Sequence, residues 1–237
     1  MSKNKYLFGL VGLAFGFIAS FFWTQYYNSS HARTVPVTQT PGMQGAQGGQ
    51  GGQPSMAAVQ ETIAKAKSNP KDFDAQLEAA KLYNQIGMVP ETISYLEKAY
   101  EIDPAQSDKY QIPPFIAQYY FDQKKYEDAE TWYRRAAALR PDEPELHVET
   151  AASLIYRQSP DPAKAILELQ KALKINPADA HALGHMIDAN ILKKDARAAE
   201  ESLARLKQAE PASTRLSVYE GLIADLKAGK PVSIPKE

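Results

Sequence analysis

Apolar residues recur at helical spacing beyond residue 56, and prolines interrupt them at nearly equal intervals. The five prolines that follow a helical pattern are Pro70, Pro104, Pro141, Pro177 and Pro211. Their separations are 34, 37, 36 and 34 residues. Because proline ends a helix and restricts the residue before it, each one marks a boundary. A period of this length indicates repeated helical hairpins.

Small and large residues return at matching positions between these prolines. The first three repeats carry them at Ala80, Tyr83, Gly87 and Ala99, then at Ala117, Tyr120, Tyr126, Ala129, Tyr133 and Ala136, and then at Ala151, Leu154, Ala165, Leu169 and Ala172. The fourth repeat keeps Leu183, Ala199, Leu203 and Leu206. There, Ile187 replaces the small residue and Asn190 replaces the aromatic one, so we expect less regular packing.

This arrangement resembles the tetratricopeptide repeat over residues 71–211. The resemblance implies an all-α fold, a solenoid of stacked helical hairpins. Small residues would let the two helices of a repeat approach closely, and large residues would fill the space against the next repeat. A single repeat cannot bury its apolar side, so several must stack.

The predicted domain covers residues 56–229 and contains nine or ten helices. Its repeats are expected at residues 71–104, 108–141, 142–177 and 178–211, with capping helices at 56–68 and 214–228. Three extra residues follow Pro104, and the turn inside the third repeat is about two residues longer than in the others. Residues 230–237 are expected to form a tail.

An uncharged run of 18 residues, 6–23, precedes this domain. As a helix it would be about 27 Å long, close to the thickness of a bilayer core. We predict a transmembrane anchor over residues 6–27, with residues 1–5 in the cytoplasm because Lys3 and Lys5 precede the run. A cleaved signal peptide, with a cleavage site at Ser30-His31-Ala32, is the alternative.

Two further features belong to this N-terminal part. Gly12, Gly16 and Ser20 form a stripe of small residues that favours close pairing of membrane helices, although glycine is also common in such helices without that role. Residues 28–55 are rich in Gly and Gln and predict a disordered linker, since they offer almost nothing to bury. Self-association through the anchor remains open as an alternative.

The amino-acid composition excludes several classes of function. The net charge is −1, which gives no electrostatic reason to bind nucleic acid. The chain has no cysteine, so thiolate nucleophiles, iron–sulfur clusters and cysteine zinc sites are excluded. Phosphate-binding and nucleophile-elbow motifs are absent from the sequence. We therefore expect no enzyme activity and no cofactor.

Histidine offers one candidate for metal chemistry. His181 and His185 lie four residues apart, so they would share a helix face, and Asp188 follows one turn later. The residues between the histidines do not fit the metalloprotease signature. We expect solvated or partly packed histidines and no metal site, and a metal-dependent enzyme is the third functional class.

The resemblance also implies which residues face a partner. The partner-facing positions of the first helix in each repeat correspond here to Lys81, Asn84, Gln85, Gln118, Phe121, Asp122, Ala152, Ile155 and Tyr156. This mixture of polar and aromatic side chains suits a peptide or helix held by hydrogen bonds and aromatic anchors.

The sequence thus predicts a membrane-anchored scaffold that binds a protein or peptide segment during envelope assembly. Its localisation would be a bacterial inner membrane, with the repeats in the periplasm. The segment Ser68-Asn-Pro-Lys-Asp72 resembles the start of the first repeat in tetratricopeptide subunits of cytochrome c-type biogenesis, which hold an apocytochrome segment. A purely structural, oligomeric subunit is the other alternative.

Overall fold

The computed structural model describes residues 55–235, and every regular element in this part of the chain is an α-helix. The helices are α1 (Met56–Ser68), α2 (Phe73–Gln85), α3 (Val89–Ile102), α4 (Pro104–Lys109), α5 (Ile112–Asp122), α6 (Tyr126–Leu139), α7 (Pro144–Tyr156), α8 (Pro162–Ile175), α9 (Ala180–Leu192), α10 (Ala196–Ala209) and α11 (Leu216–Lys227). The all-helical prediction is confirmed for these residues.

The predictions for the N-terminal segment lie outside the described residues. They are the cytoplasmic residues 1–5, the anchor 6–27, nearly all of the linker 28–55 and the stripe of Gly12, Gly16 and Ser20. Among the helices of residues 55–235, none combines the length and the apolar character that crossing a membrane requires.

The chain forms two compact units that divide between Ile112 and Pro113. In the first unit, α2 and α3 form a hairpin, α1 packs on α2, and α4 packs on α3. In the second unit, α7 and α8 form one hairpin, α9 and α10 form the next, and α11 packs on α10. Each of these hairpins is one repeat of the predicted kind.

Aspartates begin many of these helices. A carboxylate oxygen of the residue before the helix accepts a hydrogen bond from a backbone N–H of the first turn in α2, α4, α8, α9 and α10, from Asp72, Asp103, Asp161, Asp179 and Asp195. This cap satisfies a backbone donor that the helix itself leaves unpaired. The helix starts are therefore set locally.

The small residues of the repeat pattern lie where helices touch. Ala80, Ala99, Ala117, Ala129, Ala136, Ala151, Ala165, Ala172 and Ala199 are all completely buried. A larger side chain at any of them would have to push two helices apart in a closely packed interior. Their burial explains why the sequence repeats alanine at these places.

The turn between the two helices recurs in three repeats. The turn residue has a positive φ at Gly87 (76°), Lys124 (58°) and Lys194 (61°). Glycine adopts this conformation without a steric penalty, whereas lysine does so at a cost. In the third repeat the turn is longer, and the N–H of Asp161 donates to the carbonyl of Leu154.

Two differences from the sequence expectation stand out. Pro104 begins the short helix α4 and does not simply close the first repeat, which raises the number of described helices to eleven. Proline fits the first turn of a helix because it lacks only an N–H that would be unpaired there. The fourth repeat is also well packed, since ten of the 13 residues of α9 are buried, including Ile187 and Asn190.

Candidate binding site

The first helices of the second, third and fourth repeats are α5, α7 and α9. α7 and α9 pack side by side in the second unit. Corresponding residues on these two helices therefore become neighbours although 36 residues separate Glu145 from His181 in sequence. We call the accessible polar side chains of α5, α7 and α9 the first-helix face; they are Gln118, Asp122, Glu145, Glu149 and His181.

The residues predicted from the first repeat lie on α2, in the first unit. The Lys81 ammonium lies 5.5 Å from the centre of the Tyr110 ring, close enough for a cation–π attraction. Asn84 is buried, and its amide nitrogen has no hydrogen-bond partner within residues 55–235. Gln85 is exposed. Gln85 can therefore meet a partner directly, whereas Asn84 is covered.

The second repeat contributes a hydrogen-bonded row. The amide of Gln118 donates to Oδ1 of Asp122 at 2.8 Å, and the hydroxyl of Tyr133 donates to Oε1 of Gln118 at 2.7 Å. The Phe121 ring is half-buried, with its centre 5.1 Å from that of Tyr126. Gln118 and Asp122 are thus held in fixed orientations at the surface, while Phe121 mainly packs.

The third repeat corrects the predicted set. Ala152, Ile155 and Tyr156 are at most 3% exposed, so they form core and do not meet a partner. The reason is the neighbouring helix α9: the ring centre of Tyr156 lies 5.7 Å from that of His185. These positions would face solvent only if no helix of the next repeat packed over them, and in this structure α9 does.

A cluster of histidines and carboxylates occupies the junction of α7 and α9. We call Glu145, Glu149, His181 and His185 the His181 cluster. Nδ1 of His181 lies 3.4 Å from Oε1 of Glu145, and Nε2 of His181 lies 2.9 Å from Nε2 of His185. One ligand atom each from Glu145, Glu149 and His181 lie within 4.8 Å of one another. His181 is thus oriented by a carboxylate on one side and an imidazole on the other.

A buried polar layer holds His185 from the opposite side. Nδ1 of His185 lies 3.4 Å from the hydroxyl of Tyr156 and 3.6 Å from Oδ2 of Asp188. That Asp188 oxygen also lies 3.4 Å from the Tyr219 hydroxyl and 3.8 Å from Arg215. Because His185 is completely buried between these groups, its ring orientation is fixed.

The first-helix face carries negative charge. The hydrogen bond with His181 holds the pKa of the Glu145 carboxyl below its usual value, although burial acts in the opposite direction. Burial raises the pKa of the Tyr133 phenol well above its usual value, and the charges of Glu149, Asp122 and Glu145 raise it further. The contribution of these charges to the Tyr133 shift indicates a negative surface, whereas the Glu145 shift reflects its hydrogen bond with His181.

The predicted trio of His181, His185 and Asp188 does not converge on one point. Asp188 faces Tyr219 and Arg215, on the far side of His185 from His181. The carboxylates that approach His181 come instead from α7. These carboxylates lie on a different helix from His181, so the spacing of residues along α9 does not reveal them. Alignment of successive repeats does, because Glu145 and His181 occupy the same position in the third and fourth repeats.

A cleft of 490 Å³ adjoins this cluster at the junction of the fourth repeat with α11. His181 and Arg215 line it together with Ser213 and Thr214. Apolar side chains, including Leu206 and Ala212, share the lining with these polar ones, and His181 belongs to both the cleft and the first-helix face.

A second histidine–carboxylate group lies among α6, α7 and α8, and we call His147, Glu168, Arg134 and Lys171 the His147 cluster. Nδ1 of His147 lies 3.0 Å from Oε2 of Glu168, and its Nε2 lies 3.1 Å from the carbonyl of Pro141. Arg134 and Lys171 contact the Glu168 oxygens at 2.9 Å and 3.0 Å. Cations thus surround this carboxylate.

Comparison with known proteins agrees with the repeat pattern. The family model described as tetratricopeptide repeat matches residues 115–143, which span α5 and α6. No curated protein sequence matches the chain.

Solved structures share the fold at low sequence identity. A crystal structure of MamA protein has a TM-score of 0.50 and 18% identity, covering 75% of this chain and 87% of that chain. A second MamA structure has a TM-score of 0.49 and 20% identity, over 71% and 90%. YrrB, described as a tetratricopeptide protein with an unusual peptide-binding site, has a TM-score of 0.44 and 13% identity, over 69% and 99%. None of these comparisons bears on the cytochrome c link.

Proposed function

We propose that this tetratricopeptide-repeat protein is a non-enzymatic scaffold that binds a polypeptide segment rich in Lys or Arg on the first-helix face. The observation that carries the proposal is the row of accessible polar side chains on successive first helices of the second unit. Asp122, Glu145 and Glu149 are acidic members of that row. A partner with positive side chains would complement their charge.

The geometry suits an extended chain. Helices that pack side by side are about 8–10 Å apart, and an extended chain advances about 3.3 Å per residue. About three residues of an extended peptide therefore span the distance from α7 to α9. A peptide crossing both helices would place roughly every third side chain over a helix. The oriented amide of Gln118 and the carboxylate of Asp122 supply directional hydrogen bonds on α5. Affinity would come from charge pairs and these hydrogen bonds, because Ile155 and Tyr156 are unavailable as anchors.

Selection from a library of random peptides tests this function, with the full-length chain as bait and a chelator in the buffer. The face variant Asp122→Lys/Glu145→Lys is compared with the control Glu200→Lys/Glu201→Lys, which makes the same charge change on α10. We expect enriched peptides to carry Lys or Arg and to bind the face variant at least about tenfold more weakly, equivalent to about 1.4 kcal/mol. Equal affinity for both variants would contradict the proposal.

The scaffold would also be tethered to a membrane by residues 6–27, through the uncharged run in the sequence. Expression in a bacterium followed by alkaline carbonate extraction tests the tether, and protease treatment of spheroplasts tests a periplasmic location. We expect the chain to stay with the membrane, to become extractable when residues 6–27 are deleted, and to be cleaved in spheroplasts. Release of the full-length chain by carbonate would rule out the anchor.

A further inference from the structure

We infer that Glu145, Glu149 and Nδ1 of His181 form a binding site for one divalent transition-metal ion such as Zn²⁺. This inference does not rest on the proposed function, because it concerns an ion and not a polypeptide. Two carboxylates and an imidazole are ligands of the kind that bind Zn²⁺ with an open coordination position.

The distances fit a site that closes around an ion. The ligand atoms of Glu145, Glu149 and His181 lie within 4.8 Å of one another, and Nδ1 of His181 is 3.4 Å from the nearer Glu145 oxygen. Ligand atoms at about 2.1 Å from a tetrahedral ion are roughly 3.4 Å apart. Glu145 is exposed and the other two side chains are half-buried, so small rotations suffice and the ion has a route in from solvent.

The contacts around His185 allow the tautomer of His181 that a metal site needs. The groups nearest Nδ1 of His185, the hydroxyl of Tyr156 and a carboxylate oxygen of Asp188, can both accept its proton. With its proton on Nδ1, His185 presents a bare Nε2 to His181, 2.9 Å away. His181 must then carry a proton on its own Nε2, and when this ring is neutral the lone pair of Nδ1 faces the carboxylates.

Glu145 and Glu149 place two carboxylates beside Nδ1 of His181. Glu145 and Glu149 lie four residues apart on α7, close enough for their side chains to interact. Like charges placed together destabilise the site unless a proton or a metal ion lies between them. A proton on Nδ1 of His181 bridges this nitrogen to Glu145, whereas a divalent ion can bind both carboxylates and the imidazole together.

His185 plays the supporting part. A histidine that binds a metal usually donates its other ring N–H to a neighbouring acceptor, which fixes the ring orientation and strengthens the ligand. The Nε2–H of His181 has such an acceptor in the buried His185. His185 is therefore a positioning residue, and three protein ligands leave a further coordination position for water.

Metal titration of the full-length chain, freed of metal by a chelator and desalted, tests the inference. Calorimetry with Zn²⁺ should give one high-affinity ion per chain with a Kd of about 10 μM or lower, and Co²⁺ should produce visible absorption bands from the same site. We expect His181→Ala to remove the site and Glu149→Gln to weaken binding at least about tenfold. His185→Gln should weaken binding by about 10–100-fold without changing the stoichiometry.

Two matched variants control for charge and for loss of a histidine. Glu201→Gln removes an exposed carboxylate on α10, and His147→Gln removes a histidine next to a different carboxylate; both should keep the wild-type Kd and the Co²⁺ bands. Circular dichroism of each variant establishes that it remains folded. The inference is overturned if Zn²⁺ binding is not saturable below about 1 mM, or if His181→Ala binds as tightly as the wild type.

Discussion

The His147 cluster and the His181 cluster place histidines against carboxylates under opposite charge balances. Glu168 faces His147 and the two fixed cations Arg134 and Lys171. In the His181 cluster two carboxylates face one imidazole, and no Arg or Lys belongs to the cluster. The first arrangement needs no further cation, whereas the second has room for one. The two clusters thus separate a structural use of histidine from a binding use.

Burial does not distinguish the two clusters, because both include buried histidines. The position of each cluster within the repeats does distinguish the two clusters. Arg134 on α6 and Glu168 on α8 lie on the second helices of successive repeats, so their bond ties those repeats together. The His181 cluster makes its contact between first helices, on the accessible face. We therefore expect one cluster to affect stability and the other to affect ligand binding.

The largest effect is expected from Glu168→Ala. This change leaves the buried His147 without its carboxylate and removes one of the carboxylates that Arg134 and Lys171 contact, so the free energy of unfolding should fall by about 3 kcal/mol. Urea unfolding followed by circular dichroism measures it. The control Glu201→Ala breaks an exposed pair with Arg197 and should cost less than about 0.5 kcal/mol. Equal losses of unfolding free energy in the two variants would show that the His147 cluster has no structural role.

The second-largest effect is expected to be stabilisation of the folded protein by bound Zn²⁺. At a Zn²⁺ concentration 100 times the Kd, the wild-type unfolding free energy should rise by about 2.7 kcal/mol, because the ion binds only the folded protein. His147→Gln should keep this increase and His181→Ala should lose it. Thermal unfolding with and without Zn²⁺ gives the comparison. An increase that survives in His181→Ala would assign the ion to another part of the chain.

Acid should weaken the His147 cluster. Burial alone would raise the pKa of the Glu168 carboxyl, but hydrogen bonds from Lys171 and His147 and the charge of Arg134 hold it below its usual value. A carboxyl with a lowered pKa stabilises the folded state above the pKa it has when unfolded, about 4.3, and loses that contribution as the pH falls through its folded value. The stability difference between wild type and Glu168→Ala should therefore shrink below about pH 4. A constant difference down to about pH 3 would contradict this.

The smallest effect is expected from Glu149→Gln without metal. The change removes one of two neighbouring like charges and keeps a side chain of the same shape. The unfolding free energy should therefore stay within about 0.5 kcal/mol of the wild type in chelator, although Zn²⁺ binding weakens at least about tenfold. A loss of more than about 2 kcal/mol would show that Glu149 is a structural group like Glu168.

The sequence predicts the helices well because their ends depend on local chemistry. Capping aspartates such as Asp72 and Asp161, and prolines such as Pro141 that follow a helix, act within a few residues of the boundary. The exception is α4, where Pro104 can either follow a helix or begin one. The sequence pattern favours the first role, and in the structure Pro104 both follows α3 and begins α4.

The binding residues are harder to predict because they depend on contacts between repeats. Ile155 and Tyr156 occupy the partner-facing positions of the pattern, yet α9 covers them. Glu145 approaches His181 only because α7 and α9 pack side by side. Such contacts follow from the repeat register, so aligning successive repeats finds the carboxylates, but the burial of the aromatic positions requires the packed structure.

The central claim is that partners bind on the first helices of the repeats in the second unit. Hydrogen–deuterium exchange of the full-length chain, with and without a peptide obtained by selection, tests it most directly. We expect slower amide exchange in α5, α7 and α9 when peptide is bound, with exchange in α6, α8 and α10 unchanged. Slower exchange in α6, α8 and α10 instead, or in α1–α4 alone, would contradict it.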